Sequence, residues 1–217
     1  MKVELIGLTK PSASTGCNTA DELVAYTARV SNPTNQNNNE TAPKLLKYLI
    51  KNEHWSPFEM VSVQMSITTT RDISRQIIRH RSFSFQEYSQ RYAEAPEQIY
   101  TREARLQDPD NRQNSISSDD INQALRFRKL QEKVGSEARQ AYNKALKDGI
   151  AKEQARALLP EGLTETTLIM SGSLRSWIHY CELRMGNGTQ KEHAEIAQMC
   201  WSIISQHFPS VAAAMEQ

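Results

Sequence analysis

Cysteine is scarce. Cys17, Cys181 and Cys200 are the only three in 217 residues, and no C-x-x-C joins any of them. That spacing excludes a zinc knuckle and a disulfide framework, and it leaves free, mostly buried thiols in a reducing compartment. Long apolar runs are lacking as well. None approaches the roughly 20 residues that span a bilayer. The opening MKVELIGLTK is too short and too polar for a secretory signal, so the cytoplasm is the expected location. Nor is there a surplus of charge: 26 Lys and Arg stand against 25 Asp and Glu, a net +1. A protein that coats nucleic acid carries a general excess of cations. Any anion recognition here must therefore be local, and no nucleic-acid or membrane partner is expected.

Familiar nucleotide loops are absent too. There is no G-x-G-x-x-G and no G-x-x-x-x-G-K-[ST], so a dinucleotide would not be held in a Rossmann or P-loop manner. H-E-x-x-H is missing. The HAE at 193–195 lacks the P-C-x-x-C that a zinc deaminase requires, and no metal is expected.

What is present suits a soluble globular chain: 38% hydrophobic and 24% charged residues, enough for one core and one domain over 1–217. Residues 3–8 alternate weakly, as a strand does. TADE (19–22) has capping-box spacing before a helix over about 19–30. Thr41 and Pro43 open a second helix, KLLKYLIK. MVSVQMSITTT alternates with period two and predicts a half-buried strand. RDISRQIIRHR then switches to helical period. Arg71, Arg75 and Arg79 share one face, Ile73, Ile77 and Ile78 point to the core, and the helix delivers Arg79–Arg81 at its C-terminal end. Residues 103–118 read as a long polar loop. Ser118, Asp119 and Asp120 cap a long helix to about Lys147, with a break possible at Gly135 and a stop at Gly149. AKEQARALLP is a short helix ended by Pro160. Ser173 opens a helix over SLRSWIHYCELRM, and Thr189 with Glu192 has capping-box spacing for a last helix ending near Phe208. The expected class is α/β of the α+β kind: a small, largely antiparallel sheet packed with helices.

RHRSFSFQEYSQRY (79–92) carries the sharpest chemical signal. A surface arginine cluster is ordinarily a solvated face. Here the arginines follow a well-patterned strand. Ser84, Gln86, Glu87, Tyr88 and Ser89, which follow, are a poor way to build a helix or a core, and Arg91 adds another fork. Guanidiniums flanked by hydroxyls and an amide suit a phosphate monoester. Glu87 would instead take a sugar hydroxyl or orient an arginine. Phosphate plus sugar points to a nucleotide. His54 and Glu59 lie on the turn HWSPFEM, where a satisfied loop histidine is the simpler reading. Arg175 and His179 are four apart on one helix face.

At this stretch the chain resembles the flavin-dependent thymidylate synthases. The signature is carried by Arg79, His80, Arg81, Ser84, Gln86, Glu87, Ser89 and Arg91. ARVS (28–31), HWSPFE (54–59), ARALLP (155–160), SGSLRSWIHYCELR (171–184) and KEH (191–193) resemble further blocks of the family, in order. Gln86, Met60 and Ser173 depart from its commonest residues, and the SFSFQEYSQRY wording resembles a virus-associated branch, for which the cytoplasm would be a host's. The resemblance implies the thymidylate synthase-complementing fold, assembled as a homotetramer with active sites between subunits. It implies methylation of dUMP to dTMP, with FAD as cofactor and methylenetetrahydrofolate and NADPH as co-substrates. It also implies site residues. For dUMP these are Gln76, Arg79, Glu87, Tyr88, Ser89, Gln90, Arg91, Arg156 and Arg184, the last facing the pyrimidine as the catalytic group. For FAD they are Ser56, Arg79, His80, Arg81, Glu87, Arg175, His179 and His193. Two rivals remain. A nucleotide-phosphate hydrolase would need a metal-binding carboxylate cluster from Asp108, Asp110, Asp119 and Asp120. An RNA-binding module would need a broad basic surface, which the +1 balance opposes.

Overall fold

The computed structural model describes residues 1–215. Four antiparallel strands form its sheet: β1 (Lys2–Leu8), β2 (Ser62–Thr70), β6 (Glu165–Ser173) and β3 (Ser84–Glu87), in the order β1-β2-β6-β3. Register places Met65 opposite Met170 and Ile67 opposite Leu168. The period-two alternation of β2 therefore continues across β6, and Val63, Met65, Ile67, Leu168 and Met170 are all buried on one face. The opposite face is polar. Thr68 and Thr167 share a hydrogen bond of 3.1 Å, and Gln64 donates to Ser171 at 3.4 Å.

Helices cover the apolar face. α6 (Leu174–Met185) and α7 (Lys191–His207) pack together on it and bury Trp177, Ile178, Ile196, Cys200 and Ile204. α1 (Ala20–Ala28), α2 (Ala42–Lys51) and α8 (Pro209–Met215) close one end. The α1 capping box forms as the spacing predicts: Thr19 Oγ1 accepts from the Glu22 N–H, and the Glu22 carboxylate accepts from the Thr19 N–H. No helix among the described residues is long and apolar enough to cross a membrane. Cys181 and Cys200 are buried and Cys17 is partly so; all three are free.

Several expectations are corrected. β6 carries no sequence forecast at all, although Thr166, Leu168 and Met170 alternate inward; its Thr-rich start and SGS end hid the pattern. Ser84–Glu87, read from the sequence only as poor material for a helix or a core, forms the edge strand β3, where polar side chains on one side face solvent at no cost. The 103–118 loop contains a hairpin, β4 (Arg105–Gln107) with β5 (Ser115–Ser117), closed by Asp108 accepting from the Asp110 and Asn111 N–H groups. α4 (Ile121–Lys147) runs unbroken through Gly135, where a Cβ would lie 2.7 Å from the Ile99 side chain; the glycine serves close packing rather than a break. Gly149, at φ 83°, is the stop. The 189–192 capping box does not form: the N-cap is Gln190, and the Glu192 carboxylate is taken by Arg105. α8 continues beyond Phe208, its Ser210 N–H held by Asp21 at 2.8 Å.

Candidate active site

α3 (Arg71–Ile77) follows β2 without a linker, so the sheet fixes its start. Arg71 and Arg75 share a face, as their spacing predicts, and both turn to Glu87 at the end of β3. The Glu87 carboxylate accepts from Ser74 at 2.8 Å, Thr166 at 3.1 Å and Arg75 at 3.0 Å, with Arg71 at 3.8 Å. Glu161 lies 3.7 Å from both guanidiniums. Arg71 is buried, and loss of water lowers its pKa while Glu87 opposes the shift. Of the two roles foreseen for Glu87, the geometry matches the one that orients arginines.

Beyond β3, Tyr88 donates its hydroxyl to the Glu94 carbonyl at 2.6 Å, and Ser89 Oγ accepts the Arg91 N–H at 3.4 Å. Gln90 is buried, and its Nε2 has no partner among the described residues. Arg91 and Arg156 meet at Glu153: Arg91 Nε donates to its carboxylate at 3.1 Å and Arg156 Nε to its carbonyl at 3.3 Å. A cleft of about 560 Å³ opens here, lined by Arg91, Tyr92, Leu146, Lys152 and Glu153 among others. The Arg91–Glu153 pair is well exposed, hence weak, and a phosphate dianion would displace it readily.

α3 ends at Ile77, so Arg79–Arg81 leave the helix and run along α6 as a turn. His80 packs edge-on against Tyr180, and further along Ser176 donates to the Ser82 carbonyl. Arg184 Nε donates to His80 Nε2 at 2.8 Å. Burial first, and Arg184 second, depress the His80 pKa to about 4, so the ring is neutral at pH 7. Arg79 and Arg81 are exposed, and their donor-only guanidiniums make no side-chain hydrogen bond or ion pair among the described residues.

Arg175 and His179 reach the 54–60 turn that also holds the exposed Ser56. Arg175 pairs with Glu59 at 3.0 Å, and His179 stacks edge-on against Trp55. His193 is a correction. It is fully buried, with Nδ1 against Gln76 at 3.3 Å and Nε2 against the Tyr180 hydroxyl at 3.1 Å, so it presents no free nitrogen to a ligand. Gln76, which is partly exposed, donates to Gln190 at 2.8 Å. Burial, then Arg184 and His80, lower the His193 pKa to about 3. Tyr180, Gln190, Glu153 and Glu161 escaped the sequence reading, because none lies in a basic cluster and Tyr180 sits among core residues.

The structure thus gathers three groups: Arg71, Arg75 and Glu87; Arg91 with Arg156; and Arg79–Arg81 with Arg184. Among the described residues no hydrogen bond or ion pair joins the Arg91–Arg156 group to Arg184, and the cleft at Arg91 contains no residue of the Arg184 group. The carboxylates that a hydrolase would need serve local structure, with Asp108 in the hairpin turn and Asp120 capping α4.

Residues 14–210 match the thymidylate synthase complementing protein family. A probable flavin-dependent thymidylate synthase of Paramecium bursaria Chlorella virus 1 is 50% identical over 216 residues, covering 100% of this chain and 99% of the relative. A flavin-dependent thymidylate synthase of Synechocystis is 50% identical over 219 residues, covering 100% of both. The crystal structure of a UMP/dUMP methylase from Streptomyces cacaoi, bound with 5-Br dUMP, superposes with a TM-score of 0.84 at 27% identity, over 99% of this chain and 94% of that one. With the signature residues, the fold and full-length relatives in agreement, the chain belongs to the thymidylate synthase complementing protein family, that of the flavin-dependent thymidylate synthases.

Proposed function

We propose that the α6–β3 surface is where this chain carries out the family's reaction, the reductive methylation of dUMP to dTMP with methylenetetrahydrofolate as carbon donor and NADPH as reductant. The observation that carries the reading is the seat of Arg184. Its Nε–H is spent on His80, and its two Nη nitrogens make no hydrogen bond among the described residues. A guanidinium pinned by one edge offers the other as a flat pair of donors. That pair matches the ring nitrogen and flanking carbonyl of a uracil, and it stabilises the ring as an anion, which activates the ring for carbon–carbon bond formation. Arg91, Ser89 and Arg156 would hold the nucleotide phosphate, and Glu87 would keep Arg71 and Arg75 aligned beside it. The donor set fits FAD: Arg79 and Arg81, unpartnered and donor-only, suit its pyrophosphate, with Arg175, His179 and Ser56 along the same helix and turn. FAD, when bound and reduced by NADPH, would supply the two-electron reduction that completes the methyl group.

We further infer that the site is completed between subunits of a homotetramer, since among the described residues no hydrogen bond, ion pair or shared cleft joins the Arg91 and Arg184 groups within one chain. The cytoplasm, where nucleotide and folate substrates are dissolved, is the matching compartment. Sedimentation of the FAD-loaded protein should give four times the chain mass; a monomer with full activity would refute the shared site. Tritium release from [5-³H]dUMP, dependent on methylenetetrahydrofolate, NADPH and FAD, is the direct test of the reaction. Arg91→Ala should weaken dUMP binding by about 10- to 100-fold, the loss of one charge-assisted phosphate contact, with flavin content unchanged by absorbance. If flavin is lost and dUMP affinity is kept, the phosphates have been assigned to the wrong arginines.

A further inference from the structure

Behind Arg184 lies a partly buried hydrogen-bond chain whose direction is set from one end. Arg105 Nη2 donates to both Glu192 oxygens, at 2.7 and 2.9 Å, so the carboxylate is ionised and can only accept. The Gln190 group 2.9 Å from Glu192 must then be the amide nitrogen. Gln190 Oε1 therefore faces Gln76, which must offer its own NH₂, and Gln76 Oε1 is left to face His193 Nδ1. That nitrogen must carry the proton. The neutral ring then has a bare Nε2, and the Tyr180 hydroxyl must donate to it. Tyr180 in turn packs its ring edge-on against His80, with centroids 4.9 Å apart. A separate constraint applies at His80. Arg184 Nε–H is always a donor, so His80 Nε2 must be bare and its proton must sit on Nδ1.

We propose that Tyr180, His193, Gln76 and Gln190 are positioning residues for Arg184: with the Arg105–Glu192 pair they form a one-way hydrogen-bond chain that backs the His80 ring on which Arg184 rests. The chain gives His193 a hydrogen-bond partner on each nitrogen while it stays neutral. This matters because a second cation here would oppose Arg184. The groups facing His193 are Arg184 and Tyr180 from α6, His80 from the turn after α3, and the uncharged Gln76; Cys181 of α6 and Cys200 of His193's own helix act on Tyr180. α8 carries no charge, and in β1 Lys2 and Glu4 pair with each other. The proposal rests on the role given to Arg184 above.

Two measurements on the FAD-loaded protein test it. In the first, the five histidines are labelled with ¹⁵N and assigned by single replacements. His80 and His193 should both show the Nδ1–H tautomer, retained down to about pH 5. An Nε2–H tautomer or a charged ring at pH 7 in either would overturn the chain. In the second, Tyr180→Phe strips His193 Nε2 of its donor and leaves it free to take up a proton. At pH 7, where His193 stays neutral, kcat and flavin content should be little changed. The acid limb of kcat should move up by about one pH unit, so that kcat falls about tenfold at pH values below both limbs and recovers toward neutrality. A loss uniform across pH, or an unchanged profile, would mean a structural role only and would overturn the proposal. Should Tyr180→Phe not fold, Gln190→Ala interrupts the same chain and is read in the same way. If the unaltered protein releases no tritium from dUMP, the proposed function fails, while the tautomers still decide whether the chain exists.

Discussion

Arg184→Ala is expected to keep its flavin colour and to lose 10²- to 10³-fold in kcat for tritium release, the usual cost of removing one preorganised electrostatic stabiliser. The physical ground is the way Arg184 is held. An arginine on a free surface spreads over many rotamers and pays entropy to meet its ligand. Here Nε is anchored on a neutral imidazole at 2.8 Å, and the stem belongs to a helix packed on the sheet. Its donors are therefore aimed before the ring arrives. Arg184→Lys should recover little, because an ammonium offers neither the flat pair nor the Nε anchor. The flavin should stay because Arg79, Arg81 and Arg175 are untouched. An alanine variant within threefold of the unaltered enzyme would remove the ring-activating role.

The second large effect concerns stability. Glu87→Ala should lower the folding free energy by on the order of 3 kcal/mol, because breaking a buried pair leaves the other charge uncompensated. Arg71 has a side chain only 9% exposed, and its nearer carboxylate, Glu161, is itself 53% exposed and thus screened. Ser74 and Thr166, both buried, would also lose their acceptor. Glu87→Gln keeps an acceptor but not the charge and should fall between the two. Urea titration followed by circular dichroism measures this, and the slope with denaturant should stay constant so that the midpoint shift reports stability. A loss below 1 kcal/mol would mean that Glu161 suffices for Arg71 and that Glu87 is free to serve a ligand.

The elements legible in the sequence were those with one dominant local signal. β2 alternates cleanly, α1 carries a complete capping box, and the Asp120 cap and Gly149 stop bound α4. β3 and β6 were missed for opposite reasons. β3 is an edge strand whose polar residues look like loop. β6 is a central strand whose inward residues are interrupted by threonines and serines that a half-exposed sheet face accepts. The 189–192 capping box failed because a long-range ion pair to Arg105 outbid a local hydrogen bond for Glu192. Propensity and spacing carry no information about such competition.

The residue types and their order, by themselves, pointed to a class of ligand: arginines, a histidine, a carboxylate and hydroxyls in the 79–91 run suit a phosphate and a sugar, hence a nucleotide, with no Rossmann or P-loop motif to hold it. Only the tertiary structure decided which of those groups remain free. It engaged His193 and Gln76 in one hydrogen-bond chain, turned Glu87 onto two arginines, gave Arg79 and Arg81 no side-chain partner among the described residues, and fixed Arg184 by one edge. Each of these choices pairs residues as many as 117 positions apart. Such pairings are set by how helices pack on a sheet, which no local pattern of side chains encodes.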